Sequence, residues 1–164
     1  MMYMKSILFV AFLLFLGGNY AEAQEYEYIG AAKCKMCHNK PAKGEQYNKW
    51  AKGPHAKAME ALTGDDAKNP KCLKCHSTAY SVDKSLHMGI KSTEGVSCES
   101  CHGPGSVYKS MSIMKDQAKS LANGMILPNE AVCKKCHNKE SPTFKGFNYA
   151  EYVKKISHDD PTTK

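Results

Sequence analysis

Gly95-Val96-Ser97-Cys98-Glu99-Ser100-Cys101-His102-Gly103-Pro104-Gly105 is the stretch on which the reading of this chain turns. It contains a C-x-x-C-H unit closed by a sharp Gly-Pro-Gly turn. The same unit recurs at Cys34-Cys37-His38, Cys72-Cys75-His76 and Cys133-Cys136-His137, and the four units use all 8 cysteines. Two thiols three residues apart can add to the two vinyl groups along one edge of a haem. The residue that follows then lies beneath the ring, where an imidazole can bind the iron.

Other uses of cysteine fit less well. A pair of four-cysteine zinc sites needs no His after every pair, and a disulfide framework needs neither the spacing nor the His. His makes up 7 of 164 residues, so four such placements by chance are on the order of one in several hundred thousand. The sequence therefore predicts four haem c groups. The attaching cysteines are Cys34, Cys37, Cys72, Cys75, Cys98, Cys101, Cys133 and Cys136, and the proximal iron ligands are His38, His76, His102 and His137.

Three histidines remain for the four sixth positions: His55, His87 and His158. A haem iron left without a sixth protein ligand can bind a small molecule. Met36, Met59, Met88, Met111, Met114 and Met125 are the alternative ligands, although a methionine beside a haem is more often packing.

The chain opens with Lys5, an apolar run from Ile7 to Leu16 and the small-residue pattern Ala21-Glu22-Ala23. That is the pattern of a signal peptide over residues 1–23, cleaved on export, and the apolar run is too short to span a bilayer. Residues 24–164 are then one domain in the periplasm or outside the cell, with no transmembrane segment after cleavage. Large aliphatics are sparse there, and mean hydropathy over the whole chain is −0.51. With roughly 35 residues for each haem, the haems themselves must supply the core, and rings packed so densely pass electrons readily between them.

The motifs start 38, 26 and 35 residues apart, so the chain is no strict repeat. A helical stretch is expected from Pro41 to Leu62, broken by Gly53-Pro54 just before His55. Loops are expected from Thr63 to Pro70 and from Ser77 to Gly95, and a helix from Ser106 to about Ala122. Pro128 and Asn129 open a short helix for the fourth motif. Asn148 with Glu151 caps a last helix ending at His158. The fold class is mostly α with extensive loops, wrapped around closely packed haems, with little or no sheet.

Lysines give the chain a formal charge of +7, which roughly eight propionate charges can offset. Nucleic-acid binding has no support beyond that charge, and export argues against it. The lysines are either a solvated surface or a face for acidic redox partners.

Several stretches resemble the tetrahaem cytochrome c-554 family, best known as the electron acceptor of hydroxylamine oxidoreductase. They are Cys34–His38 with Trp50 and Pro54-His55-Ala56-Lys57-Ala58-Met59, then Cys72–His76, then Gly95–Gly105. Cys133–His137, Ser141-Pro142 and the closing helix to His158 complete the match. The resemblance implies stacked and angled haem pairs, with three bis-His haems and a five-coordinate one at the second motif. It implies that His55 serves the third haem, at His102, and His158 the first, at His38, leaving the iron at His76 open. The family's ligand for the fourth haem lies about ten residues after the third motif, where this chain has Ser112; His87 or a methionine takes that place.

Three functions are consistent with this reading. The first is electron carriage between a membrane quinol-side donor and a terminal reductase or oxidase. The second is an enzyme, a nitric oxide or other small nitrogen-oxide reductase working at the open iron beside His76. The third is a subunit self-associating into a conducting filament, with His87 reaching a neighbour's haem. An electron carrier is favoured over an enzyme, because nothing in the sequence builds a substrate pocket.

Overall fold

Each C-x-x-C-H unit folds as a short helix, because only a helical turn brings residues i, i+3 and i+4 to one face. The computed structural model describes residues 25–161. The expected signal peptide and its cleavage point lie outside them. The first three motifs end helices α1 (Ala31–His38), α3 (Pro70–His76) and α5 (Cys98–His102). The fourth begins on α8 (Glu130–Lys134) and continues for a turn, His137 donating its N–H to the Cys133 carbonyl at 3.0 Å. Helix α2 (Gln46–Lys52) follows the first motif. Helix α4 (Thr78–Ser81) follows the second, α6 (Met111–Met114) and α7 (Gln117–Ala122) the third, and α9 (Tyr149–Ile156) the fourth.

Local chemistry sets these bounds. Asn69 accepts from the Lys71 N–H at the start of α3, and Pro70 occupies its first position. Asn129 caps α8 and Asn148 caps α9 through the Val132 and Glu151 N–H groups. Helix α2 stops at Gly53. No helix among the described residues is long and apolar enough to cross a membrane. No strand forms among them either; a parallel bridge joins Tyr28 to His87. The chain is mostly helix and loop, as its sequence indicates.

Three expectations about elements need correction. The stretch expected to be helical from Pro41 to Leu62 is α-helix only over Gln46–Lys52, with 3-10 turns at Pro41–Lys43 and Ala58–Ala61. Residues 77–95 are not all loop: α4 and two 3-10 turns, Lys84–Leu86 and Ser92–Glu94, lie there. The helix expected over residues 106–122 is two helices. Asp116 ends the first and restarts the second, its carboxylate accepting from the Lys119 N–H.

The interior is half polar. Ile29, Ala31, Leu73, Ala79, Ile90 and Tyr108 are buried, but so are Gln46, Ser77, Thr78, Ser97, Glu99 and Ser120. Glu99 is the largest of the most deeply buried side chains. Its carboxylate accepts from the N–H groups of Ile29 (3.0 Å), Gly30 (2.8 Å) and Gly105 (2.7 Å). Burial pushes the Glu99 carboxyl above its ordinary value, and the three N–H donors pull the other way. Nearby, Thr78 accepts from the Ser97 N–H at 2.7 Å and meets the Ser100 hydroxyl. Tyr108 donates to the Gly103 carbonyl at 2.9 Å.

Replacing Glu99 with Ala should leave three buried N–H groups unpaired, and each such orphan costs about 1–3 kcal/mol. Denaturant unfolding of the haem-loaded protein should show a loss of roughly 3 kcal/mol or more for Glu99→Ala. Glu99→Gln, which keeps one accepting oxygen, should lose less.

Candidate haem sites

Motif order in space differs from motif order in the chain. Cys34 of the first motif lies beside Cys98 of the third, and helices α1 and α5 pack together. Cys101 of the third motif lies within electrostatic reach of Cys133 of the fourth, and α5 packs on α8. Cys136 of the fourth lies beside Cys75 of the second, and the Lys74–Glu140 ion pair at 2.6 Å ties the same two motifs. The motifs thus follow one another as first, third, fourth, second.

Two imidazole pairs stand out. His102 faces His158 with ring centroids 6.1 Å apart and planes at 61°, and His55 faces His137 at 6.1 Å and 56°. Two metal–nitrogen bonds of about 2 Å plus the ring radii put imidazoles that share one metal roughly 6 Å apart. Both pairs therefore have the separation needed to grip a single iron. Between His102 and His158 lies a cavity of about 260 Å³, lined also by Cys98, Cys101, Trp50 and Lys49. A second, of about 290 Å³, is lined by Cys136, His137, Phe147 and Lys145.

The resemblance implies His55 at the site of His102, whose cavity it does line, but His158 at that of His38, whereas His158 faces His102. The reason is the run of α9, whose end delivers His158 into the His102 cavity. His55 is held by its own backbone: its carbonyl accepts from the Val96 N–H at 2.9 Å, and Trp50 donates to the Val96 carbonyl at 2.8 Å. His55 lines the cavity of His102 and His158, and its ring also lies 6.1 Å from that of His137.

The imidazoles are prepared as neutral ligands. Burial and the neighbouring His158 and His38 pull His102 down to about 4. Burial and His137 lower His55, and burial lowers His137. Each keeps a lone pair at neutral pH. His76 places Nδ1 2.7 Å from the Ala58 carbonyl, and His158 places its own 3.1 Å from that of Ile156. Such bonds fix the ring and leave Nε2 for a metal. The His87 Nε2 is buried and has no hydrogen-bond partner, as a displaced ligand nitrogen would be. Among the described residues no three His, Cys, Asp or Glu side chains converge as a metal cage, which gives the zinc alternative no support. The donor set suits haem: thiols and an imidazole on one helical face, with a second imidazole across a gap.

Comparison with known proteins agrees. The family described as cytochrome c554 and c-prime matches residues 33–103, the span of the first three motifs. Cytochrome c-554 of Nitrosomonas europaea is 29% identical over 173 aligned residues, covering 85% of this chain and 70% of the relative. Both cytochrome matches support a c-type cytochrome, an electron carrier with covalently bound haem, similar to the cytochrome c-554 family. DnaJ protein homolog XDJ1 of Saccharomyces cerevisiae is 32% identical over 68 residues, which span 42% of this chain and 12% of that protein. No solved structure matches.

Sequence reasoning missed Glu99, which anchors the third motif, and Phe147, which lines the cavity beside His137. A carboxylate inside a C-x-x-C-H unit followed by Gly-Pro-Gly was a usable signal, because the turn exposes N–H groups that need an acceptor. Phe147, ten residues beyond its motif, gave none.

The Gly103 turn that ends the third motif can be tested directly. Its φ is +80°, and a Cβ there would meet the Gly124 carbonyl. Gly146, at φ +103°, has nothing within 4 Å of such a Cβ. Left-handed backbone costs a non-glycine residue roughly 1–2 kcal/mol at either position. Gly103→Ala adds a collision, so haem-stained protein recovered from cells should fall well below that of Gly146→Ala.

Proposed function

We propose that this cytochrome is an exported electron carrier holding four haem c groups, one at each motif. In this reading residues 1–23 direct export to the periplasm. Each haem is attached by its two cysteines, and His38, His76, His102 and His137 are the proximal ligands. Two imidazole pairs with centroids 6.1 Å apart carry the proposal. His158 is then the sixth ligand of the third iron, and His55 that of the fourth.

His87 is assigned to the first iron. Its neighbours Leu86 and Met88 bond the Tyr28 backbone at 2.8 and 3.0 Å, beside the segment that leads into α1 and the first motif. Its Nε2 is buried and unpaired. The second iron, on His76, is left with an open position. Electrons pass along the first, third, fourth and second sites, between a membrane quinol-side donor and a terminal reductase or oxidase. The chain supplies scaffold and ligands, favours neutral imidazoles at His55, His102 and His137, and sets lysines such as Lys49 and Lys155 at the rim of the third site. Lys49 has no ion-pair partner among the described residues, which suits it to a propionate.

Haem quantified as its pyridine complex should give four per chain; fewer overturns the count. EPR of the oxidised protein should show one high-spin ferric haem in four, and that haem should bind nitric oxide after reduction. His87→Ala should create a second high-spin haem. Four low-spin haems inert to nitric oxide would overturn the open site, and a high-spin count unchanged by His87→Ala would remove His87 from the ligand set.

A further inference from the structure

His137 is the exposed one among the motif histidines, so little of its own surroundings fixes its ring. Phe147 does lie on it, face to face, with centroids 4.8 Å apart and planes within 17°. Tyr152 in turn backs Phe147 at 5.3 Å and 29°, and the Lys155 ammonium lies 4.8 Å above the Tyr152 ring. No other motif histidine has a phenyl, phenol or indole ring stacked on it among the described residues. The two aromatic rings are themselves well placed. Asn148, next to Phe147, caps α9, and Tyr152 projects from the first turns of that helix. Stacking at this offset and spacing is favourable by about 0.5–1.5 kcal/mol beyond the area it buries.

We propose that Phe147, backed by Tyr152, is a positioning residue that sets the plane of the His137 ring, and with it the 56° twist between His137 and His55 across the fourth site. The inference rests on the reading of those two histidines as ligands of one iron. An axial imidazole donates π-electron density to the iron d orbital perpendicular to its own plane. The angle between two such planes therefore sets the splitting of those orbitals. That splitting governs the magnetic anisotropy of a low-spin ferric haem and shifts its reduction potential. Partners around an axial ligand are among the levers by which a protein tunes a haem. Here the lever is a stacked face, because the exposed side of His137 offers it no buried polar partner.

The test is low-temperature EPR of the haem-loaded protein, with the fourth haem assigned by subtracting the spectrum of His55→Ala. That variant should convert one low-spin haem to high-spin. If it does not, the ligand assignment fails, and the role of Phe147 falls with it for a reason the spectrum identifies. With the assignment secure, Phe147→Leu should shift and broaden the low-spin signal of that haem while haem content and the high-spin count stay at wild-type values. Phe147→Tyr, which keeps the stacked face, should restore the signal. Tyr152→Leu, at a residue 42% exposed and so tolerant of change, should move it the same way by less. A fourth-haem signal at its wild-type position in Phe147→Leu overturns the proposal. Where Phe147→Leu fails to load haem, Tyr152→Leu decides: a shift supports the proposal, and an unmoved signal overturns it. A role in stability alone would lower the unfolding midpoint of these variants and leave the signal in place.

Discussion

A carboxylate inside the third motif holds the chain together before any other contact does. Glu99 is removed from water and must be matched where it sits, and it is matched by three N–H groups from two distant segments. Ile29 and Gly30 lead into the first motif; Gly105 ends the turn after the third. One side chain thus fastens two C-x-x-C-H helices side by side, which is why Cys34 and Cys98 touch. An apolar residue at 99 would strand those donors. A polar anchor suits a chain with few large aliphatics, because its geometry is specified by direction as well as by area.

Helix α9 is the second organising element, and it serves two sites at once. Its first turns carry Tyr152, which backs Phe147 against His137. Its end carries His158 into the cavity of His102. Between them, Lys155 pairs with Glu151 at 3.3 Å and covers Tyr152. A surface ion pair of this kind contributes little by itself. Its value lies in keeping the lysine stem over the ring, where the two contacts restrain each other. A small rotation of α9 therefore moves a ring at the fourth site and an imidazole at the third together.

Much of this was legible in the sequence, and the reason is covalent. Cysteine spacing fixes where helical turns must lie, and asparagine caps fix where α3, α8 and α9 begin. The histidine pairing was not legible, because it depends on which segment reaches a given side of a motif first. His55 and His158 are both suitable ligands in composition; the packing of α9 sets His158 opposite His102, while His55 lines that cavity and lies across from His137. The break at Asp116 was hidden for a related reason. Residues 106–122 have helical propensity throughout, and a capping carboxylate in their midst won locally. Glu99 and Phe147 escaped notice because their partners are backbone groups and a ring far along the chain.

The spatial order of the motifs has a consequence that the chain order conceals. First and second motifs are neighbours in sequence but stand at opposite ends of the series, and the third and fourth lie between them. The third is in contact with two other motifs, carries Glu99, and is closed by a Gly103 whose backbone no other residue suits. On the proposed reading every electron crossing the protein passes the third and fourth sites. These are the sites whose imidazole pairs already stand 6.1 Å apart. On the same reading the ends differ: His87 serves His38 from a loop, and His76, its Nδ1 2.7 Å from the Ala58 carbonyl, has no sixth ligand. Rigid ligation in the middle and looser ligation at the ends is the arrangement a conductor needs, since reorganisation at an interior site would slow every transfer while reorganisation at an end slows only exchange with a partner.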